Sequence, residues 1–463
     1  MGTSIGPELL LTLRRDSARP LRLQLEESLR NLIRSQAMVA DDLLPSTRTL
    51  STDLGVSRRL VLEAYEQLTA EGYLVTEPRR GTRVARIEPS IVAKAPPSEW
   101  RPFFDLRPRT SDLATFPRRS WSRAIARTLR DVPDVELAYP DPQGSSALRV
   151  ELADYLQRVR GLVAAPERIL VCAGFTQALA LCTRALADGS PPEIAVEEPG
   201  LVDQNRIIAA AGGRCHPVAV DAEGLNVRDL HEAKAEAVVL TPAHQFPTGV
   251  LLSPSRRAEL LDWAAKGRLV IEDDYDAEFR YDRAAIGALQ GLAPENVLYV
   301  GSVSKTLAPA LRLGWIVAPA RLIERLRQAK RLEDHGAPTI DQLALAELLR
   351  SGAYDRHLRL LRRSLRRRRD TMLEELDRHL PEFNISGAAA GLHLLAAVPS
   401  SISMPRLLEM AHARRLALAP ISRYSLSDTV DPQRLVIGYG SVADAAIPRA
   451  VQTLAQATEA ARK

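Results

Sequence analysis

The sequence predicts an α/β protein in two parts, a small N-terminal winged helix-turn-helix domain and a larger C-terminal domain built on a buried sheet. Helical periodicity with capping residues, followed by a hairpin pattern, predicts the small domain. Apolar strand-like runs that alternate with helical stretches predict the larger one. We place the winged helix at 12–86, a linker at 87–102 and the larger domain at 103–460, with a large part at about 103–320 and a C-terminal small part at about 321–460.

Composition restricts the class of protein. Of the 463 residues, 46% are hydrophobic and 26% are charged, which is usual for a globular chain and excludes a disordered or fibrous protein. No run approaches the roughly 18 consecutive apolar residues of a membrane helix, and the first residues lack the pattern of a secretion signal. We therefore expect a cytoplasmic protein. The net charge of +5 permits an anionic partner without requiring one.

The cysteines and two of the histidines predict no metal site. Cys172, Cys182 and Cys215 are too few and too scattered for a disulfide framework or a zinc site, so we expect them to be reduced, buried and structural. His335 and His357 have no companions at metal-ligand spacing and are interpreted as ordinary polar residues.

Two helices are predicted first in the small domain. Leu21, Leu25 and Leu29 fall on one helical face, which predicts the first helix. The second helix fits Thr47–Leu54 and ends at Gly55, because glycine readily adopts the conformation that terminates a helix.

A third helix begins after Ser57, whose hydroxyl suits an N-cap, and continues to about Ala70. The periodicity directs four side chains inward, and these are Val61, Ala64, Tyr65 and Leu68. Two short β-segments, at 73–75 and 82–84, surround a Pro/Gly turn and predict a hairpin. The prolines between 88 and 102 predict a stiff, extended linker.

Helix-turn-helix plus hairpin is the pattern of a winged helix, whose third helix can enter the major groove of DNA. Arginines flank the helix starts and decorate the wing, and they are Arg48, Arg58, Arg59, Arg79, Arg80 and Arg83. Their planar donors suit phosphates and guanine edges. A protein-interaction module with solvated arginines is the alternative that this pattern leaves open.

Five motifs of the small domain resemble the GntR-type winged helix, and they are Leu44-Pro45-Ser46-Thr47-Arg48-Thr49-Leu50, Leu54-Gly55-Val56-Ser57-Arg58-Arg59, Glu63-Ala64-Tyr65-Glu66-Gln67-Leu68, Ala70-Glu71-Gly72-Tyr73-Leu74 and Gly81-Thr82. The resemblance implies binding to double-stranded operator DNA through Ser46, Arg48, Ser57, Arg58, Arg59, Gly81 and Thr82. The family commonly has Asn-Thr where this chain has Arg59-Leu60, which leaves the operator sequence open.

The larger domain contains candidate strands at 169–172, 194–196, 237–240, 269–271 and 297–300, and a further one at 435–437. Ser302-Val303-Ser304-Lys305 follows the candidate strand at 297–300. A lysine just after the end of a strand, behind small hydroxyl residues, can form a Schiff base with an aldehyde cofactor. A merely solvated lysine is the alternative.

A second strand runs into Glu272-Asp273-Asp274-Tyr275-Asp276. The two-residue period of a strand puts Asp273 and Tyr275 on one face and Asp274 on the other. A buried carboxylate there can keep a pyridine nitrogen protonated, and a phenol can bind the ring oxygen. The alternatives are a solvated turn and a calcium-like acidic loop. A calcium-like loop would need further ligands and a suitably spaced glycine, which are absent from the sequence.

These motifs, together with Arg312-Leu313-Gly314-Trp315 and His244-Gln245-Phe246-Pro247-Thr248-Gly249, resemble fold-type I aminotransferases and in detail the MocR subfamily. Members of that subfamily fuse a GntR-type winged helix to an aminotransferase-like domain with large and small parts. The resemblance covers about residues 19–454 and implies pyridoxal 5′-phosphate as the cofactor.

The resemblance also implies roles for single residues. Lys305 would hold the cofactor as a Schiff base, Asp273 would bind the pyridine nitrogen, and Tyr275 would bind the ring oxygen. The phosphate would lie in a cradle made by Gly174, Phe175, Thr176, Ser302, Ser304 and Arg312. Arg423 would receive an effector carboxylate, with a surface arginine as the alternative. Tyr139 would either reach a pocket, of its own or of the partner subunit, or only pack.

Two departures from aminotransferases favour sensing over turnover. Leu201 stands where an aromatic side chain usually covers the cofactor ring, and Phe246 stands where aminotransferases carry asparagine. We therefore expect a regulator without productive turnover, which senses an amine or amino acid by Schiff-base exchange at Lys305. The resemblance also implies a homodimer that is domain-swapped, as in related proteins. The alternatives are a working aminotransferase with a DNA-binding appendage and a cofactor-free DNA-binding scaffold.

The stretch 321–370 contains 14 Lys and Arg, among them the run Arg366-Arg367-Arg368-Arg369, but only 7 Asp and Glu. This basic stretch could extend the DNA footprint, or it could be a solvated helix face.

Overall fold

The computed structural model describes residues 13–16, 19–35, 37–77, 80–86, 100–281, 286–387, 389–427 and 430–462. The chain divides into two compact units, Met1–Trp100 and Arg101–Lys463. Most of the predicted linker, 87–99, and the wing residues Pro78 and Arg79 lie outside the described residues. Within the ranges that are described, no helix combines the length and apolar character needed to cross a membrane.

The first unit consists of three helices and a hairpin, as the sequence predicts. Its elements are α1 (Leu21–Arg34), α2 (Thr47–Leu54), α3 (Arg58–Ala70), β1 (Leu74–Glu77) and β2 (Gly81–Val84). Gly55 ends α2 with a φ of 63°, in the left-handed region that glycine adopts without strain. The two strands pair antiparallel, so the prediction of a hairpin is confirmed.

The core of the first unit lies between α1, α3 and the hairpin. The four residues of α3 that the periodicity directs inward are all buried, which confirms the prediction. From α1, Leu25, Leu29 and Ile33 complete this core, whereas Leu21 is only half-buried. The hydroxyl of Tyr65 donates to the carbonyl of Pro45 at 3.0 Å and so fixes α3 to the segment that precedes α2.

The second unit alternates strands and helices. Its strands are β3 (Phe104–Asp105), β4 (Ile169–Cys172), β5 (Glu193–Glu198), β6 (Arg214–Asp221), β7 (Gly224–Leu225), β8 (Ala237–Leu240), β9 (Leu269–Asp274), β10 (Val297–Ser302), β11 (Gly314–Val317), β12 (Asn384–Ser386), β13 (His393–Ala397), β14 (Leu416–Ala417) and β15 (Arg434–Gly438). Each of the strands predicted from the sequence is present, and several extend further at their ends.

The helices of the second unit cover the sheets. They are α4 (Arg118–Asp131), α5 (Ser146–Arg160), α6 (Phe175–Leu186), α7 (Asp203–Ala210), α8 (Val227–Glu232), α9 (Pro254–Ala264), α10 (Ala320–Asp334), α11 (Thr339–Arg350), α12 (Ala353–His379), α13 (Met404–Ala413) and α14 (Ile447–Arg462).

The main sheet has the strand order β4-β11-β10-β9-β8-β5-β6-β7 among the described residues. Strands β10, β9, β8, β5 and β6 run parallel, while β11 is antiparallel to both of its neighbours. Because the carboxyl ends of parallel strands share one edge, the residues that follow β8, β9 and β10 lie close together. A second, antiparallel sheet of β12, β13 and β15 forms the C-terminal part.

Two sequence-based expectations change in the structure. Cys172 and Cys182 are buried free thiols, but Cys215 is partly exposed, so the prediction that all three are buried is wrong. Cys215 lies near the start of β6, where the sheet is less covered. In the arginine run of α12, Arg368 is buried and binds Asp112 and Asp444, so this residue is part of the core and not of a solvated face.

Candidate functional site

A cavity of about 320 Å³ opens at the carboxyl edge of the main sheet, a size typical of ligand pockets. Eight residues assigned to a cofactor from the sequence line it, and they are Phe175, Thr176, Asp273, Tyr275, Ser302, Ser304, Lys305 and Arg312. The strands β9 and β10 bring most of them together, since Asp273 pairs with Val300 in the parallel register.

The end of β9 separates two neighbouring carboxylates, as the two-residue period predicts. Asp273 and Tyr275 face the cavity. Asp274 points to the other side, where it accepts hydrogen bonds from Arg160 and from the hydroxyl of Tyr299, both at 2.7 Å. The first carboxylate is therefore available to a ligand, and the second holds the core together.

Asp273 lacks the partners that a carboxylate in such a place needs. Among the described residues, no protein group hydrogen-bonds its side chain, and burial together with the charges of Asp274 and Asp276 raises its pKa well above the usual range. A ligand with a positively charged N–H group would restore the carboxylate form. A protonated pyridine nitrogen fits this requirement.

Lys305 places an amine in the same cavity. Its ammonium group donates to the backbone carbonyl of Arg109. Burial lowers the pKa of Lys305, and the nearby carboxylates of Asp276 and Asp273 oppose this effect only in part. A lowered pKa increases the neutral fraction of the amine, and the neutral amine is the form that attacks an aldehyde.

The start of α6 is the candidate anion cradle. Gly174 precedes this helix with a φ of 96°, and Phe175 and Thr176 of its first turn line the cavity. The free backbone N–H groups of a helix start favour an anion. A Cβ atom on Gly174 would lie 3.9 Å from the Ser304 hydroxyl and 4.0 Å from a guanidinium nitrogen of Arg312. These donors therefore converge on one small space, which suits a phosphate group.

Arg312 itself has a φ of 50°, a left-handed conformation that non-glycine residues rarely adopt. Strain of this kind is concentrated at functional sites, where the surrounding structure maintains it.

Tyr275 is held by two residues that stand in the sequence motifs but were assigned no role there, His244 and Asp276. Its hydroxyl donates to the backbone carbonyl of His244 at 3.1 Å, and burial raises its pKa well above the usual value, so it stays protonated. The imidazole of His244 donates from Nδ1 to the buried carboxylate of Asp276 at 2.8 Å. His244 therefore helps to hold Tyr275 in place in the cavity wall.

Glu198 fastens a segment of the C-terminal part beside the cavity. Its carboxylate accepts hydrogen bonds from Ser425, Leu426 and Ser427, those of the Leu426 amide being 3.0 and 3.1 Å long. Gly200 donates its amide to the carbonyl of Tyr424 at 2.8 Å, and the Tyr424 ring lines the cavity. The only sequence signal for this contact is a carboxylate that follows an apolar strand, the same signal that identifies Asp273.

Three predicted residues are outside the cavity lining, and they are Gly174, which directly precedes the lining residue Phe175, Arg423 and Tyr139. Arg423 is exposed although its neighbour Tyr424 lines the cavity, so its contact with an effector carboxylate remains a prediction. Tyr139 is 93% exposed and lies beside the ring of His335 at 6.4 Å. By contrast, Leu201 and Phe246, the two departures from aminotransferases, both line the cavity.

The start of α3 in the first unit is well ordered by its caps. The hydroxyl of Ser57 accepts from the Leu60 amide at 3.2 Å, and that of Ser46 caps α2 in the same way through the Thr49 amide at 3.1 Å. Arg58 donates to the Thr47 hydroxyl at 3.3 Å and remains exposed. The two helix starts are thereby tied together.

The other arginines near these helix starts differ in their availability. Arg48 is exposed, whereas Arg59 is paired with Glu63 at 2.8 Å. In the wing, Gly81 has a φ of 87°, and the hydroxyls of Thr76 and Thr82 lie 3.1 Å apart across the hairpin. Arg83 donates to the carbonyl of Asp41 at 3.0 Å, which orients it along the domain.

Comparisons with known proteins agree with this division. The family model described as "Bacterial regulatory proteins, gntR family" matches residues 21–84, and the one described as "Aminotransferase class I and II" matches residues 112–454. The chain is similar to the HTH-type pyridoxine biosynthesis transcriptional regulator PdxR of Corynebacterium glutamicum, with 34% identity over 90% of this chain and 91% of that protein.

It is also similar to the probable rhizopine catabolism regulatory protein MocR of Rhizobium meliloti, with 30% identity over 94% of this chain and 92% of that protein. Among solved structures, LysN, the alpha-aminoadipate aminotransferase of Thermus thermophilus complexed with N-(5′-phosphopyridoxyl)-L-leucine, superposes with a TM-score of 0.69 and 27% identity. That match covers 77% of this chain and 92% of LysN.

Proposed function

Because the chain belongs to the GntR family of bacterial regulators, in the MocR-type subfamily with an aminotransferase class I and II domain, we propose that it is a pyridoxal phosphate-dependent transcriptional regulator that senses an amine or amino acid. The observation that carries the proposal is the convergence of Asp273, Tyr275 and Lys305 on one cavity, in a chain whose other unit is a winged helix.

The aminotransferase class I and II domain implies pyridoxal 5′-phosphate as the cofactor. When bound, this cofactor supplies an aldehyde carbon to which an amine can attach covalently. Lys305 would provide the protein's own amine, and Asp273 would hold a positive N–H group. The α6 cradle, formed by the start of that helix with Ser302, Ser304 and Arg312, would bind the phosphate.

An effector amine would have to replace Lys305 in order to attach to the cofactor. The displaced side chain of Lys305 would then find an acceptor in the carbonyl of Arg109, to which it donates in this structure. An effector changes DNA affinity only to the extent that it prefers one arrangement of the protein over another. Our candidate for the part of the protein that changes between these arrangements is the 425–427 segment, which Glu198 holds. The neighbouring Tyr424 connects this segment to the cavity.

The DNA-binding surface consists of the starts of α2 and α3 with the wing. Arg48 and Arg58 provide the exposed charge, while Ser46, Ser57, Arg59, Gly81 and Thr82 shape or extend the surface. Exposed arginines at a capped helix start suit base edges in the major groove.

We further propose that the regulator works in the cytoplasm as a homodimer with exchanged winged helices. Analytical ultracentrifugation of the full chain tests the dimer, and mixed dimers of cavity-deficient and DNA-binding-deficient chains test the exchange.

The test of the proposed function uses duplexes selected by the full chain from a random pool. Pyridoxal phosphate should bind with a change in its absorbance, and borohydride reduction should attach it to the peptide that contains Lys305. A selected duplex should bind with strong salt dependence, and a primary amine should alter its affinity. Rapid, repeated consumption of an amine and a keto acid would instead identify a working aminotransferase.

A further inference from the structure

The cavity contains more lining than the cofactor needs. Once the residues that would hold pyridoxal phosphate are set aside, six of the eleven other residues that line the described cavity are apolar or aromatic, and the remaining five are Arg109, Glu197, Gly200, Gln204 and Thr241. We call this group the apolar lining, and it consists of Pro108, Leu201, Phe246, Leu392, His393 and Tyr424. An effector that enters the cavity has to contact these side chains.

Phe246 lies at the centre of the apolar lining. Its ring meets Tyr424 edge-on at 4.9 Å and 82°, His393 at 5.3 Å and 76°, and Tyr275 at 6.3 Å and 86°. Such perpendicular contacts are the favoured arrangement of aromatic rings. The position of Phe246 is also fixed from behind, since its amide donates to the Thr241 hydroxyl at 3.1 Å, which in turn donates to the buried Glu197 carboxylate at 2.7 Å.

The apolar lining carries no formal charge at neutral pH. Burial and the neighbouring His244 lower the pKa of His393 well below its usual value. Since a carbonyl can only accept, its Nε2 donates to the carbonyl of Pro247, at 3.2 Å. Behind Tyr424, a small buried cluster of Leu395, Ile421 and Val436 extends the apolar surroundings.

An acidic group on an effector would find little compensation here, because Arg423, which the sequence predicts as the partner of a carboxylate, does not line the described cavity. Apart from Lys305 and Arg312, Arg109 is the cation that lines the described cavity. Its guanidinium already binds the Asp105 carboxylate at 3.1 Å, which is shared with Arg107. Burying an acidic group without a free cation is costly.

We propose that the effector is a primary amine with an apolar body of aromatic size, and not a short acidic amine. This inference rests on the proposed amine-sensing function. The amine would replace Lys305, while the body would lie against Phe246, Tyr424 and Leu392.

The experiment measures dissociation constants by calorimetry on the full chain loaded with pyridoxal phosphate. The probes are 2-phenylethylamine, ethylamine and 4-aminobutanoate. We expect 2-phenylethylamine to bind at least tenfold more tightly than either of the others. In Phe246→Ala, the affinity advantage of 2-phenylethylamine over ethylamine should fall at least threefold. Phe103→Ala is the control, because Phe103 is 70% exposed and does not line the cavity, and this variant should retain the advantage.

Equal or tighter binding of 4-aminobutanoate, or no advantage of 2-phenylethylamine over ethylamine, would overturn the inference and leave amine sensing intact. Binding of none of the three amines would also overturn the inference, whereas failure of the cofactor to attach at Lys305 would overturn the proposed function itself. Should Phe246→Ala not fold, Phe246→Leu is measured in its place, and an unchanged advantage in the folded variant counts against the inference.

Discussion

Adjacent residues at the end of β9 have opposite tasks. Asp273 faces the cavity and accepts no hydrogen bond from the part of the chain that the structure describes, whereas Asp274 joins Arg160 and Tyr299 in the core. The sequence predicts this division, because a strand alternates its faces. It could not predict the partner Arg160, which is 114 positions away in the chain.

Substitution of the two carboxylates should separate cofactor binding from stability. Asp274→Asn leaves Arg160 buried without its counter-charge and should cost about 3–5 kcal/mol of unfolding free energy. Asp273→Asn should leave stability nearly unchanged, because the charged form of Asp273 is already disfavoured by burial, but should weaken pyridoxal phosphate binding at least tenfold. Denaturant unfolding and absorbance titration measure the two effects, and a reversed pattern would refute the assignment.

The amine of Lys305 should react at a lower pH than an ordinary lysine. Its pKa lies below the usual 10.5 because burial disfavours the charged form. The neutral amine therefore becomes available as pH rises through this lowered value, and the rate of pyridoxal phosphate attachment should rise with a midpoint below 10.5. The attachment rate is followed by absorbance from pH 6 to pH 11. A midpoint at or above the ordinary lysine value would contradict the lowered pKa.

At the scale of elements, local signals in the sequence are reliable. The helix Thr47–Leu54 and the strands Ile169–Cys172 and Ala237–Leu240 have the predicted bounds, because caps and apolar runs are local features. The contacts between distant elements had no such signal. The attachment of the 425–427 segment to Glu198 and the burial of Arg368 in α12 depend on the tertiary fold.

The start of α3 should determine DNA affinity. Arg58→Ala should weaken binding to a selected duplex by about 1–3 kcal/mol if the side chain reads a base, and the cofactor absorbance should not change. Arg228→Ala removes the same charge from an exposed position of α8 in the second unit and serves as the control. Equal affinities of Arg58→Ala and the control across a salt series would remove Arg58 from the interface.

The α6 cradle should depend on Gly174. Its φ of 96° and ψ of −172° fall in a region that is essentially restricted to glycine, so Gly174→Ala should cost about 1–3 kcal/mol of stability. The new methyl group would also occupy the space between Ser304 and Arg312, so pyridoxal phosphate and inorganic phosphate should both bind at least tenfold more weakly.

Gly189→Ala is the matched control for the cradle. Gly189 also has a positive φ, 76°, but a Cβ atom there would meet nothing within 4 Å. This variant should lose stability and keep its phosphate affinity. Equal phosphate affinities of the two variants would show that the start of α6 is not the cradle.

At the scale of the whole molecule, the sequence predicts two activities because two sets of motifs occur in one chain. The first unit contains the DNA-facing helix, and the second contains the cavity. Neither the apolar lining around Phe246 nor the support that Thr241 and Glu197 give it could be predicted, since these residues are brought together from separate strands. The central claim is that an amine in the cavity changes DNA binding by the winged helix.

The most direct test of that claim is to titrate a selected duplex with the full chain and with Lys305→Ala. Each titration is done with and without 2-phenylethylamine. For the unaltered chain loaded with pyridoxal phosphate, we predict a change in DNA affinity of at least fivefold, the lower end of typical coupling between sites. Lys305→Ala should bind the duplex as tightly as the amine-free chain and should not respond to the amine. A Lys305→Ala protein that no longer attaches pyridoxal phosphate yet keeps the full amine response would contradict the claim.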